Sequence, residues 1–134
     1  MTKLENYNNT IFERIKHINK YGSEYWMARE LMKALEYKRW DKFCNVIENA
    51  KIACEQSKFI IDDHFSQVGI MVDIGSKTSR TIMDYELSRY ACYLIVQNAD
   101  PRKVVVALGQ TYFAVQTRKQ EINEKQYSML TEDE

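Results

Sequence analysis

The chain has 134 residues, of which 45% are hydrophobic and 28% charged, and its 19 basic and 19 acidic side chains give zero formal net charge. This length suits one domain with one core, and the charge balance excludes attraction to DNA or an anionic membrane through the overall field of the protein. The apolar run at residues 90–96 is far short of the roughly 20 residues of a membrane span, and no charged-then-apolar leader opens the chain, so the composition predicts a soluble, cytoplasmic protein with no membrane partner.

The first part of the chain is predicted to hold two helices separated by a strand. Apolar residues at helical spacing predict an amphipathic helix over residues 8–18, which Tyr21-Gly22-Ser23 ends. The aromatic segment 24–27 is predicted to be a strand, and residues 28–35 a short helix. Residues 36–38 form the bend into the next helix.

The clearest helical pattern starts at residue 40. Its apolar stripe repeats at spacings of three and four and consists of Trp40, Phe43, Ile47, Ala50 and Cys54. The opposite side carries amines and amides with no carboxylate between them, here called the Lys/Asn row: Lys38, Lys42, Asn45 and Asn49. A short helix, a tight bend and this longer helix resemble a helix-turn-helix, in which the second helix enters a DNA groove.

A β-hairpin is predicted between residues 68 and 84. Val68, Ile70 and Val72 alternate with polar residues, residues 73–78 supply turn chemistry, and the alternation resumes up to Asp84. Just before the hairpin, Asp62-Asp63-His64 could hold a divalent ion for phosphodiester cleavage. Adjacent residues in one loop rarely converge on one metal and Asp favours turns, so we predict a capping or turn role and no metal site.

Two apolar helical patterns fill residues 89–117 and meet at residues 98–103. The first is predicted to start just after Asp84, whose carboxylate would cap it, with Leu87 on its apolar face. The second is predicted to start at Pro101, with Asp100 as its N-cap. The acidic stretch 119–134 loses the apolar rhythm and is predicted to fray or to belong to something beyond the chain end.

The last helix is apolar on two sides. One stripe consists of Val104, Val105, Leu108, Tyr112 and Val115. Val106 and Phe113, seven residues apart, lie on another side. A helix with two apolar sides either packs both sides into the core of its own chain, or packs one side there and binds a partner with the other. Val106 and Phe113 are therefore candidates for a homodimer interface, with burial in the chain's own core as the alternative.

The three cysteines, Cys44, Cys54 and Cys92, are widely spaced within apolar helical patterns. An odd number without a C-x-x-C pair predicts reduced, buried thiols and no zinc site. No serine or cysteine has a plausible base and orienting partner in the sequence. We therefore expect no cofactor and no enzymatic activity.

Several blocks of the sequence match a known family in order along most of the chain. They are the segments YWMAREL at 25–31, YKRW at 37–40, IENAK at 47–51, DDHF at 62–65 and the run 89–121. They resemble the damage-inducible protein D family, whose N-terminal region is similar to the BRO-type N-terminal domain of viral and phage antirepressors. One residue departs from the pattern, because Glu36 stands where the family tends to place glycine. Glycine adopts left-handed backbone angles freely and Glu does not, which leaves the type of bend and the angle between the helices open.

The resemblance implies a bacterial or phage protein of the DNA-damage (SOS) response whose N-terminal fold binds DNA. It also implies contact with the RecA filament. The domain would cover residues 1–121, and residues 122–134 would be an acidic tail that starts a region absent from this chain.

Although the net charge of the chain is zero, two segments carry more basic than acidic residues and so hold candidate DNA contacts. Residues 28–58 carry seven basic and five acidic side chains, and residues 77–118 carry six and three. In the Lys/Asn row, the Lys side chains would neutralise phosphates or bind guanine, and the Asn side chains would form hydrogen bonds with adenine. The alternative is that the row is a solvated helix face. The other candidates for backbone contacts are Arg39, Lys77 and Arg80, with Arg102 and Lys103 beside a helix N-terminus. Solvation is the alternative for these side chains too.

The sequence thus predicts a mainly helical α+β fold with a helix-turn-helix-like pair, one β-hairpin and two long C-terminal helices. The predicted function is a non-enzymatic, DNA-associated, antirepressor-like regulatory module, with the choice between single- and double-stranded DNA open. The alternative is a protein-interaction module that acts on a repressor or on the RecA filament.

Overall fold

The computed structural model describes residues 11–132, and the backbone alone at residues 120, 124 and 126–132. The fold class is α+β, as the sequence predicts. Residues 11–14 are helical and are followed in chain order by β1 (His17–Ile18), β2 (Glu24–Met27), α1 (Ala28–Ala34), α2 (Trp40–Gln56), α3 (Ile61–His64), β3 (Phe65–Gly75), β4 (Thr78–Leu87), α4 (Arg89–Asn98) and α5 (Val104–Glu132).

One antiparallel sheet holds four strands in the order β1-β2-β4-β3. The predicted strand at 24–27 is confirmed, and so is the hairpin, whose strands are longer than predicted. Its turn is Ser76-Lys77, and both residues have positive φ angles of 28° and 65°. This backbone shape matches the twist of the two strands that it joins. The hairpin therefore forms one side of the sheet, with β3 outermost.

The helix predicted over residues 8–18 is wrong at its C-terminal end. Residues 11–14 are helical, but His17 and Ile18 form β1 opposite Tyr25 and Glu24. The His17 ring stacks on Tyr25, and His17 Nε2 lies 2.5 Å from Glu30 Oε1. These contacts with β2 and α1 override the local helical pattern. Residues 8–10 lie outside the described part of the chain.

The predictions for α1 and α2 are confirmed, and the bend between them has a defined geometry. Glu36 adopts a left-handed φ of 62°. Its N–H donates to the Lys33 carbonyl (3.0 Å), and the Tyr37 N–H donates to the Met32 carbonyl (3.0 Å). This pair of bonds is the Schellman ending of a helix, in which glycine usually occupies the left-handed position. The bend is therefore of the glycine type although the residue is Glu.

We expect Glu36→Gly to raise the free energy of unfolding by about 0.5–1 kcal/mol. A left-handed conformation costs a residue with a Cβ roughly 1–2 kcal/mol, and the greater freedom of glycine in the unfolded chain offsets part of the gain. Urea unfolding measures the change, and Glu36→Ala is the control that keeps the Cβ and should show no gain. A glycine variant no more stable than the parent would contradict strain at this bend.

The start of α4 differs from the prediction. Asp84 lies within β4 and Leu87 ends that strand, so the assignment of Asp84 as the cap of α4 and of Leu87 to its apolar face is wrong. Ser88 is the N-cap, and its hydroxyl accepts a hydrogen bond from the Ala91 N–H (3.0 Å). The reason is pairing across the sheet, because Asp84 lies opposite Val68 in the hairpin.

The start of α5 is also displaced from the prediction. The helix begins at Val104 and not at Pro101. The Asp100 carboxylate accepts a hydrogen bond from the Arg102 N–H (3.0 Å) and so stabilises a turn before the helix. The two C-terminal helices have 10 and 29 residues, so only the second is long. The boundary between domain and tail is predicted between residues 121 and 122, where the backbone of α5 is helical without a break. The boundary stays a prediction.

The core lies where α4 packs against α2 and α5, beside the sheet. Val106 and Phe113 are both 0% exposed. Assignment of these two side chains to a homodimer interface is therefore wrong, because they belong to the chain's own core. All three cysteines are free, and burial is confirmed for Cys54 and Cys92, whereas Cys44 is only half-buried. None of the described helices combines the length and the apolar composition needed to cross a bilayer.

Candidate nucleic-acid interface

The Lys/Asn row lies on the outer side of α2. The apolar stripe of this helix faces the core, whereas all four side chains of the row are exposed. Lys38 belongs to the bend before the helix, and the other three members lie on the helix itself. Among the described residues, no hydrogen bond or ion pair involves the side chain of any member of the row. Its amines and amides are therefore available to an external ligand.

Three acidic side chains lie to one side of the row, and two of them, Asp41 and Glu48, are paired, whereas the Glu55 side chain is exposed and has no partner among the described residues. Arg39 donates to Asp41 through Nε (3.1 Å) and Nη2 (2.8 Å). Lys51 lies 3.2 Å from Glu48 Oε1 and also donates to the Tyr85 hydroxyl (2.7 Å). The negative charges of Asp41 and Glu48 are thus compensated by neighbouring cations, which reduces their repulsion of a phosphate near the row. Because the guanidinium of Arg39 already binds Asp41, Arg39 loses support as a candidate contact to the DNA backbone.

The hairpin tip is a separate basic site. Lys77 lies in the turn and Arg80 on β4, and both are exposed. Lys51 ties α2 to Tyr85 at the base of the hairpin. Arg80 lies five residues before Tyr85 on the same strand, towards the tip, about 17 Å away at the rise of a β-strand. The row and the tip are therefore two separate basic sites, on two elements that the contact between Lys51 and Tyr85 joins.

Arg102 and Lys103 lie just before α5, and both contact groups of this chain. Arg102 donates to the Asp100 carboxylate through Nε (3.0 Å) and Nη2 (3.1 Å), which holds the pKa of Asp100 below its ordinary value. Lys103 Nζ donates to the Glu36 carbonyl (3.2 Å) and lies 5.2 Å from the Tyr37 ring centroid. Lys103 thus joins the bend before α2 to the start of α5, and Arg102 is paired within the turn before α5, so the role of both as phosphate contacts loses support.

A cleft of about 480 Å³ lies on another part of the surface, where no sequence pattern predicted a site. Glu24, His64, Ser88, Arg89 and Tyr90 are among its lining residues. A hydrogen bond joins His64 Nδ1 and Ser88 Oγ (2.7 Å), and Arg89 forms an ion pair with Glu24. Burial lowers the pKa of His64, which favours its neutral form. Residues 64 and 88 meet only in the folded chain, so no local pattern could predict the pair.

The Asp62-Asp63-His64 cluster does not converge on one point. Both Asp side chains are exposed in the first turn of α3, where a helix favours acidic residues. The His64 ring instead packs against Phe59 and Tyr90. The described residues contain no group of three side chains suited to hold a metal ion.

Comparisons with known proteins give two findings. The family model for the BRO family, N-terminal domain, matches residues 14–114. The chain is 53% identical over 124 residues to DNA damage-inducible protein D of Escherichia coli (strain K12), a match that covers 92% of this chain and 45% of that relative. The chain therefore spans less than half the length of this relative. No solved structure matches it. Both findings confirm the resemblance found in the sequence.

Proposed function

The chain belongs to the BRO family of N-terminal domains, and from this premise we propose that it is a non-enzymatic, DNA-associated, antirepressor-like module of the DNA-damage response. Its similarity to a DNA damage-inducible protein supports a regulatory role connected with DNA damage. The observation that carries DNA contact is the Lys/Asn row, which is exposed along α2 and lies beside two carboxylates, Asp41 and Glu48, that are already paired.

The proposed contact uses α1, the bend and α2 as a helix-turn-helix-like unit with α2 in a DNA groove. Lys38 and Lys42 would bind phosphates, and Asn45 and Asn49 would meet base edges. From Lys42 to Asn49 the row spans about 10 Å at the rise of an α-helix, which corresponds to roughly three base pairs. The hairpin tip, with Lys77 and Arg80, would hold the backbone next to this short site.

We expect Lys42→Glu combined with Asn45→Ala to weaken binding to short DNA at least about fivefold at low salt, because one phosphate contact becomes a repulsion and one base contact is lost. Both side chains are exposed and unpaired among the described residues, so the thermal midpoint should stay nearly unchanged. Fluorescence anisotropy with single- and double-stranded DNA across a salt series measures the effect.

The matched control is Lys20→Glu, which changes the charge equally at an exposed position in the turn before β2. It should reduce affinity much less than the double variant does. Equal affinity of the parent and the double variant would exclude α2 as the DNA-contacting element. Equal losses for the double variant and the control would indicate a general charge effect and no defined interface.

A second candidate function is a protein-interaction module that acts on a repressor or on the RecA filament. It is supported by exposed apolar side chains near the end of α2 and after it: Ile52 is 57% exposed, Phe59 49% and Ile60 66%. The two functions differ in their response to salt. DNA binding weakens steeply with salt because counterions are released, whereas an apolar protein contact does not.

A further inference from the structure

The outer edge of β3 is long and has no partner among the described residues. The strand has 11 residues and is the last in the sheet order, so half of its backbone N–H and C=O groups point away from β4. The opposite edge of the sheet is β1, with only two residues. Short edge strands resist pairing with other chains, and long ones invite it.

This edge also lacks the features that usually protect one. β3 contains no Lys, Arg or Pro, and its one charged residue is Asp73. The only irregularity of its pairing with β4 lies between Asp73 and Gly75, next to the turn. The apolar side chains Met71 and Ile74 are 67% and 57% exposed. The backbone and the side chains of this edge are therefore suited to receive another strand.

We propose that β3 pairs antiparallel with β3 of a second copy of the chain, about a two-fold axis at Ile70, to form one continuous sheet. The occupant is a second copy because the strand is complementary to itself. With the axis at Ile70, Val68 of one copy lies opposite Val72 of the other, and Ile70 lies opposite Ile70. The β-branched side chains of both copies then share one face of the sheet, where such cross-strand pairs are favourable.

The other face of the strand supports the same register. Gly69 lies opposite Met71 of the second copy, and a depression of about 270 Å³ lies beside Gly69, lined also by Gln67 and Thr81. In each copy Met71 Sδ accepts a hydrogen bond from Thr81 of its own chain (2.9 Å), and in the dimer the Met71 side chain would turn from Thr81 into the depression of the other copy. Asp73 lies opposite Gln67, so no like charges meet. Moving the axis by one residue in either direction brings Asp73 opposite Phe65 or Gly69 and separates Met71 from Gly69.

The register predicts a site-specific cross-link. Ile70→Cys places two sulfurs at the axis, within the Cα separations of an antiparallel pair that a disulfide can bridge. Mild oxidation should convert this variant to a covalent dimer on a non-reducing gel. Val72→Cys is the matched control on the same edge. Its two copies lie about 13 Å apart along the strand direction and should not cross-link. The parent, with its three native cysteines, gives the background.

A second measurement needs no cysteine. Sedimentation of the parent should give a dimer mass, and Met71→Lys should weaken dimerisation at least about tenfold because a charged edge strand resists pairing. Val104→Lys is the control, since it makes the same apolar-to-Lys change at a residue that is 62% exposed and lies at the start of α5, outside the sheet. A monomeric parent at high concentration, or equal cross-linking of the two cysteine variants, would overturn the proposal. Neither readout involves DNA, so these results and those of the DNA-binding test are independent.

Discussion

Phe113→Ala is expected to lower the free energy of unfolding by about 3–5 kcal/mol, the usual loss when a buried aromatic ring is truncated. Phe113 is 0% exposed. Its ring centroid lies 5.2 Å from that of Phe12, 5.3 Å from that of Trp26 and 4.8 Å from that of Tyr112. The substitution removes all three ring contacts and leaves a cavity that the rigid surroundings cannot fill. For a chain of this size we expect the Tm to fall by at least about 10 °C.

Thermal and urea unfolding of the variant measure this loss directly. Val115→Ala is the control on the same helix, since Val115 is 45% exposed and its truncation should change stability by less than about 0.5 kcal/mol. If Phe113→Ala instead kept the thermal midpoint of the parent and changed only the mass of the assembly, Phe113 would have to be assigned to an interface.

The elements with strong local signals could be predicted from the sequence. The spacing of apolar residues was sufficient for α1 and α2, and the alternation around turn-forming residues was sufficient for the hairpin. The exposure of the Lys/Asn row followed from the same periodicity, because the side of an amphipathic helix opposite its apolar stripe faces solvent. The pair formed by Arg39 and Asp41 is also local, because the two residues are only two positions apart in the sequence.

Features that depend on distant residues could not be predicted in this way. The two apolar sides of α5 were visible in the sequence, but the rings that cover Phe113 come from Phe12 and Trp26, far away in the chain. The hydrogen bond from Lys103 to Glu36 spans 67 positions, and it removes Lys103 from the set of uncommitted cations. Periodicity shows which side of an element is buried, and only the fold shows what covers it.

Asp84 illustrates the same limit at a helix terminus. From the sequence its carboxylate was predicted to cap α4, the helix that follows β4. In the structure the carboxylate lies at the start of α1, a helix earlier in the chain. Asp84 is 2% exposed, and its Oδ1 accepts hydrogen bonds from the backbone N–H groups of Arg29 (3.1 Å) and Tyr85 (2.7 Å). The N-cap of α1 is Met27, which supplies no side-chain acceptor. Asp84 therefore caps α1 from the neighbouring strand β4.

We expect Asp84→Ala to lower the free energy of unfolding by about 2–4 kcal/mol, because it removes the cap of α1 and leaves two backbone N–H groups without their acceptor. Asp84→Asn should cost less than about 1 kcal/mol, because the amide keeps an oxygen at the Oδ1 position and carries no charge. Urea unfolding of the two variants at neutral pH measures the difference. Equal losses in both variants would show that the negative charge itself is required.

The pH dependence gives an independent check of the same site. Burial raises the pKa of Asp84 above its ordinary value of 3.8, and this effect outweighs the opposing effect of its backbone hydrogen bonds. The native state therefore holds this proton more tightly than the unfolded state, so the contribution of Asp84 to stability is present below the unfolded pKa and is lost as pH rises through the folded pKa. The Asn variant does not titrate here. As pH falls towards 4, the parent should gain stability relative to Asp84→Asn, and an opposite trend would mean that the buried carboxylate is stabilised in its charged form.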